Sequence, residues 1–320
     1  MGNLRPVLIM GLLFLGYMMW IEWQKDYGPQ PQPVAPGAST ATPADMTVPD
    51  VPSFSENQAD LPSAEEPGPS GMDDAGGQKA TERPMVTVTT DVLQLGIDPQ
   101  GGTVVSAVLR DYPVKLEEPD QLVNLLLASG ENFFIAQSGL LSRQDAPNHT
   151  SLYQAEQGAY NLSAGGGELR VPMTWVSDSG LMVTKTFVFQ AGRYDIGVEY
   201  AVVNNSGEAL TVSHYEQLQK SVPADEESPG FTNPGRYSFH GIGFYNPEDK
   251  FEKIDFDDVG DEPYQKTTRD GWLAMIQHYF FAAWIPEAEE EATYTTQAIQ
   301  NGAWPRFIAR TVSPAQRVAP

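Results

Sequence analysis

The chain has 320 residues, 42 acidic side chains against 19 basic ones, and a formal net charge of -23. This acidity argues against binding nucleic acid or an anionic lipid surface through a basic patch, because the excess negative charge repels phosphates. It contains no cysteine, which excludes disulfides, thiolate zinc sites and cysteine nucleophiles but leaves the redox compartment open, since an oxidising space permits disulfides without requiring them.

Val7 to Ile21 is an unbroken apolar run, preceded by Arg5 and followed by Glu22, Lys25 and Asp26. Counted from Leu4 to Trp23, with Arg5 and Glu22 snorkelling, it reaches the roughly 17 residues a spanning helix needs. A cleaved signal peptide is the rival reading. Its cleavage site calls for small residues, whereas Trp20, Ile21, Glu22, Trp23 and Gln24 are bulky. The expectation is an uncleaved signal anchor over residues 1–26, with Tyr17, Trp20, Trp23 and Tyr27 in the outer aromatic belt. Arg5 and the amino terminus hold this end in the cytoplasm, so the remainder is exported. Residues 27–84 form a linker rich in proline, small residues and acids. Such a stretch buries too little apolar area to offset its ordering entropy, and proline and like charges extend it. It reads as a tether; a motif for a proline-binding partner is the alternative.

From Met85 the pattern changes to short alternating runs, which predict strands. Val86 to Leu95 leads to Asp98-Pro99-Gln100-Gly101-Gly102. Thr103 to Leu109 is a strand closed by Asp111-Tyr112-Pro113. Gln121 to Ala128, Asn132 to Gln137, Tyr160 to Ser163, Leu169 to Val176, Leu181 to Gln190, Tyr194 to Asn204 and Leu210 to Lys220 follow. Ser179-Gly180, Gly192-Arg193 and Asn205-Ser206-Gly207 are turn chemistry, and Gly165-Gly166-Gly167 reads as a hairpin tip. Ser221 to Arg236 is a polar loop, after which Tyr237 to Tyr245 and Phe251 to Phe256 resume the strand pattern. Regular short strands with Gly or Asn turns, and no convincing helix after the anchor, mean an all-β sandwich or barrel.

Asp270 to Pro286 is the longest apolar-aromatic run outside the N-terminus. As a helix it would place Leu273, Ile276, Phe280 and Ala283 on one face. As a strand it has two apolar faces, which belongs in the middle of a packed sheet. The strand reading is favoured because the run follows Asp270-Gly271, a hairpin-turn dipeptide, and is rich in aromatics. Pro286 stops it. Ala292 to Ile299, the turn Asn301-Gly302 and Phe307 to Val312 come next, and Val318-Ala319-Pro320 ends without a closing element. A sandwich missing its last strand has an unpaired edge, so the sequence reads as a fragment.

Candidate chemistry is sparse. The four histidines, His149, His214, His240 and His278, have no zinc-ligand spacing. Asp255, Asp257, Asp258, Asp261 and Glu262 place Gly260 at the sixth position of a calcium-loop pattern. Val259 and Lys266 stand where that loop needs an oxygen ligand and a bidentate Glu, so a solvated acidic turn is expected instead. Gly165-Gly166-Gly167 lacks the ending of a phosphate loop, and there is no GxSxG elbow. Asn148-His149-Thr150, Asn161-Leu162-Ser163 and Asn204-Asn205-Ser206 fit a glycosylation pattern common by chance. No catalytic, cofactor or metal residue is expected.

The order of features resembles the N-terminal half of the YidC membrane-protein insertases of the Gram-negative type. The resemblance is carried by the anchor and tether, Val88-Thr89-Thr90-Asp91-Val92-Leu93, Gly101-Gly102, Thr184-Lys185-Thr186-Phe187-Val188-Phe189, Phe251 to Asp257, and above all Gly271-Trp272 through Gln277-His278-Tyr279-Phe280 to Ala283-Trp284-Ile285-Pro286. It implies a large periplasmic β-sandwich of the galactose-mutarotase-like kind over residues 85–320, in a protein of the bacterial inner membrane. It further implies contact with membrane lipid, the Sec translocon with its accessory subunits, and nascent membrane proteins. In that family insertion is done by a later bundle of membrane helices, no part of which matches this sequence, so no groove residue carries over. The implied role is anchor and docking module, not an enzyme. The alternative is a tethered sugar-binding or mutarotase-like module, for which Trp175, Trp304 and Tyr245 are candidate stacking residues.

Overall fold

A computed structural model describes Tyr17 and residues 84–222, 239–277, 279–299 and 304–320. The expected anchor and tether lie outside these residues, apart from Tyr17 and Pro84. Among the described residues no helix is long and apolar enough to cross a membrane.

The described residues from 84 onward fold mainly into strands, with almost no helix. β1 (Val86–Thr89), β2 (Leu93–Asp98), β3 (Thr103–Lys115), β4 (Glu118–Leu127) and β5 (Phe134–Leu141) form an antiparallel meander. Two short strands follow, β6 (Gln154–Ala155) and β7 (Ala159–Asn161), then β8 (Glu168–Val176), β9 (Leu181–Gln190), β10 (Ile196–Asn204) and β11 (Leu210–Ser221). The last third supplies β12 (His240–Asn246), β13 (Lys250–Asp255), β14 (Gln265–Arg269), β15 (Trp272–Gln277), β16 (Phe280–Trp284), β17 (Glu291–Ile299), β18 (Arg306–Val312) and β19 (Gln316–Val318). They make one large sheet in the order β14-β17-β18-β11-β5-β4-β3-β2-β1-β7, with β19 added on β11, and two four-stranded sheets, β10-β9-β8-β6 and β13-β12-β15-β16.

The core follows from alternation. In β9, Leu181, Val183, Lys185, Phe187 and Phe189 are buried, and the residues between them are not. Side chains on a strand point alternately to opposite faces, so a period of two marks a sheet with one buried face. One apolar cluster draws on all three sheets: Val88, Leu95 and Leu109 of the large sheet, Met173 and Phe187 of one small sheet, and Phe244, Leu273 and Met275 of the other. This is the all-β sandwich expected: a large sheet covered on one face by two small ones.

Several local expectations are corrected. Asp270 to Pro286 is two strands of a hairpin, not one. β15 lies inside its sheet between β12 and β16, whereas among the described residues β16 has a strand partner on one side only. The strands reverse between Gln277 and Phe280, which pair with each other, and the intervening sequence has no Gly, Pro or Asn to announce it. Asp270-Gly271 is not a hairpin turn either. β14 belongs to the large sheet and β15 to a small one, and Asp270, at φ 55, turns the chain between them. Gly165 to Gly167 likewise joins two sheets, since β7 pairs with β1 and β8 with β6 and β9. β3 does not stop at Asp111. It runs through Pro113 to Lys115, and the pairing register shifts on either side of Pro113; an irregularity is where a residue lacking an N–H is tolerated. At the end of the chain, Leu210, Thr211 and Val212 of β11 pair with Val318, Arg317 and Gln316 of β19, which has no second strand partner among the described residues.

Candidate functional site

The polar groups of the core gather where β5 parts from its neighbours. β5 pairs with β4 through Phe134 and with β3 through Ala136, and beyond Ala136 it keeps only β11. The Ser138 carbonyl on the open side therefore needs another donor. Lys185, 1% exposed, supplies it from β9. Its Nζ donates to Ser138 O at 3.2 Å, Gly101 O at 2.9 Å and Gly102 O at 2.9 Å. It also lies 5.2 Å from the centre of the Phe187 ring and 5.8 Å from that of Tyr200. Burial pushes its pKa down to about 7, against the raising effect of Glu216. Three carbonyl acceptors match the three protons of an ammonium, so below that pH the charge is held entirely by backbone oxygens and ring faces.

Glu216 continues the same row. It pairs with Ser138 on one side and Thr311 on the other, and Thr311 pairs with Tyr294. Glu216 Oε1 is 3.2 Å from His214 Nε2, which is also 3.6 Å from Glu290 Oε2. The three side chains are 14%, 26% and 18% exposed respectively. Glu216 Oε2 is buried with no hydrogen-bond partner among the described residues. Burial, then the charge of Glu290, pushes Glu216 up to about 8, while Lys185 opposes the rise. Burial lowers His214, and Glu290 opposes that.

The opposite face of the same strands carries a second network. Gln217 accepts from Arg310 Nε at 2.8 Å through its Oε1 and donates from Nε2 to Gln137 Oε1 at 2.7 Å. His149 Nδ1 lies 2.6 Å from the Tyr215 hydroxyl. Burial, then Arg310 and Lys185, lowers His149 to about 4, so it is neutral at physiological pH.

A third feature is apolar. β15 buries Leu273 and Met275 in the core, which by alternation turns Trp272 and Ile276 to the outer side. There Trp272 stacks on Tyr245 at 5.7 Å and meets Phe251 at 5.8 Å. Ile276 pairs with Phe281, which is 62% exposed, and Ile285 is 73% exposed. The second apolar face read from the sequence is real, and among the described residues it stays open.

Of the candidates named from sequence, His149 and His214 enter these networks. His240 is exposed at the start of β12, and His278 lies outside the described residues. Asp255 to Glu262 closes β13 and forms a single 3-10 turn in which Asp258 O accepts from Asp261 N and Glu262 N. No group of described residues could hold a metal ion. Asn148 and Asn204 cap their own turns through Thr150 and Ser206. Trp175, Tyr245 and Trp304 sit on β8, β12 and the β17–β18 connection, so the fold distributes them over different elements. An open cavity of about 700 Å³ is lined by Tyr160, Asn161, Arg170 and Thr186; Arg170 is already engaged by Glu168 and Glu199. Lys185 and Glu216 were missed. For Lys185 the signal was a charged residue at the buried phase of an alternating strand; around Glu216 β11 does not alternate, so its pattern carried no such signal.

These features define an all-β sandwich of three sheets with a charged internal layer and one uncovered aromatic face. A family model described as the YidC periplasmic domain matches residues 85–320, and the chain belongs to that family. Its relatives include proteins named membrane protein insertase YidC. That of Thioalkalivibrio sulfidiphilus is 36% identical over 333 residues, covering 100% of this chain and 56% of the relative. That of Methylococcus capsulatus is 40% identical over 321 residues, covering 99% and 55%. The chain thus spans about half the length of the curated relatives it matches. Among solved structures it is similar to a galactose mutarotase related enzyme from Lactobacillus acidophilus, at 8% identity and a TM-score of 0.38, covering 73% of this chain and 94% of that one.

Proposed function

We propose that this chain supplies the membrane anchor, residues 1–26, the tether, residues 27–84, and the periplasmic docking domain, residues 85–320, of an inner-membrane insertase that helps membrane proteins insert and fold. The N-terminus is cytoplasmic and the sandwich periplasmic. Family membership over residues 85–320 supports the setting. The observation that carries docking is the uncovered face made by Tyr245, Phe251, Trp272, Phe281 and Ile285. An exposed contiguous apolar patch marks an interaction surface, and aromatics are the residues that anchor such contacts. The partners are subunits of the Sec translocon or emerging segments of client proteins. The chain itself catalyses no reaction in this reading. Photo-crosslinkers placed at Phe281 and Ile285 in membranes should capture a translocon subunit or a nascent chain. Crosslinks confined to Trp175 and Trp304 would refute this face.

One observation favours a second reading. His214 between Glu216 and Glu290 is the kind of acid–base constellation a sugar-acting module needs. Calorimetric titration with hexoses decides it: specific binding at millimolar concentration or tighter, lost in His214→Gln, would replace docking by carbohydrate recognition.

A further inference from the structure

His214, Glu216 and Glu290 stand at the hinge of a sheet. Two connections join the large sheet to the β13-β12-β15-β16 sheet at this end: β14 to β15 through Asp270-Gly271, and β16 to β17 through residues 285–290. They are tied together, since Glu289 N donates to Asp270 Oδ1 at 2.7 Å. Both residues are left-handed, Asp270 at φ 55 and Glu289 at φ 67, a conformation that costs a non-glycine residue energy and persists only where its surroundings enforce it. The next residue, Glu290, reaches His214 on β11, which reaches Glu216. The β16–β17 connection is thus fastened to the middle of the large sheet through one imidazole between two carboxylates.

We propose that His214, Glu216 and Glu290 form a proton-operated latch on this hinge. With one proton shared between His214 and Glu216, the cluster carries a single negative charge, and Glu290 stays within ion-pair distance of the Nε2 edge that faces Glu216. Without it the cluster carries two charges of one sign in a half-buried site, and Glu290 is driven off β11. The other groups facing the cluster are Lys185 from β9, Tyr200 from β10 and Tyr294 from β17, and Tyr294 also feels Asp270 from the first crossover. Arg269 is occupied by Glu291 at 3.6 Å, and Arg310 points to the opposite face with Gln217. Lys185 is the one basic side chain in this set; its three carbonyl acceptors fix it at β5 and burial brings its pKa down to about 7, so it has given up most of its own charge by pH 8 and does not replace the lost proton. The elevated proton affinity of Glu216 places the transition near pH 8, on the alkaline side of neutrality.

The test is hydrogen–deuterium exchange of the intact 320-residue chain in detergent from pH 6 to 9.5, corrected for the intrinsic rise of exchange with pH. Peptides covering 287–292 should lose protection by about tenfold between pH 7 and 9, as two like charges meet at low effective dielectric, while those covering β2 stay constant. In Glu216→Gln the loss should vanish. If that variant does not fold, the less central Glu290→Gln must abolish it instead. Constant protection in the native chain, or an equal loss in whichever of these variants folds, overturns the latch.

Discussion

Lys185 Nζ donates to the carbonyl oxygen of Gly102 at 2.9 Å across a gap of 83 residues in sequence. That bond joins one small sheet to the β2–β3 turn of the large sheet, and its companions to Gly101 and Ser138 complete a three-way strut. Two short motifs that looked unrelated, Gly101-Gly102 and Thr184-Lys185-Thr186, are one physical unit.

Lys185→Met keeps the unbranched shape of the side chain, one atom shorter, and removes the donor. Three buried carbonyls then lose their partner, and an unsatisfied buried acceptor costs more than a hydrogen bond gains. The variant should lose about 3 kcal/mol or more of unfolding free energy, read as a lower urea midpoint at pH 6. A loss under about 1 kcal/mol would mean that the carbonyls find other donors and that the strut is dispensable.

Gly102→Ala tests the same contact from the other side. Gly102 sits at φ +56, and a Cβ there would stand 3.1 Å from Lys185 Cδ. Gly165 has φ +75 but nothing within 4 Å of its Cβ position. Both substitutions incur the left-handed penalty of about 1 kcal/mol, and only Gly102→Ala also crowds the strut. Gly102→Ala should therefore be the more destabilising of the two. Equal losses would show that Lys185 gives way freely.

Stability should depend on pH with opposite signs at two residues. Glu216 is raised to about 8 from its ordinary 4.5, so the folded state binds its proton more tightly than the unfolded state. The stability it contributes is complete below about pH 4.5 and is lost as pH rises through 8. His149 is lowered to about 4 from 6.5, so its contribution is complete above about pH 6.5 and is lost as pH falls through 4. Relative to the native chain, Glu216→Gln should gain stability steadily from pH 5 to 8. His149→Gln should gain as pH falls from 6.5 to 4.5. Difference curves from denaturant titrations at each pH separate the two, and a flat Glu216→Gln difference curve contradicts the assignment.

The strands and their burial phase were legible because period two is written directly in the residues: Leu181 to Phe189 reads as one buried face whatever the fold. What could not be read was which strands meet. Asp270-Gly271 has the chemistry of a hairpin turn, yet it serves a crossover between sheets, because a left-handed residue reverses a chain equally well in either setting. The reversal between Gln277 and Phe280 was invisible because the sequence there carries none of the usual turn residues. The charged layer was hidden for a different reason. His214, Glu216 and Glu290 converge only because β11, β18 and β17 lie side by side, and that order is set by long-range pairing rather than by local pattern.

The uncovered face of the β13-β12-β15-β16 sheet yields the last expectation. Phe281 and Ile285 are largely exposed, so replacing them by serine removes little buried area from the core, and the double variant should unfold within about 0.5 kcal/mol of the native chain. If the face docks a partner, the same change should weaken copurification with that partner several-fold, because truncating central apolar anchors removes a large share of binding energy. Trp272→Ala provides the contrast. Its ring stacks on Tyr245 and meets Phe251, so it should lose both stability and association. A double serine variant with full association would show that this surface is open for another reason. A double serine variant that unfolds would show that the face is covered within the protein itself.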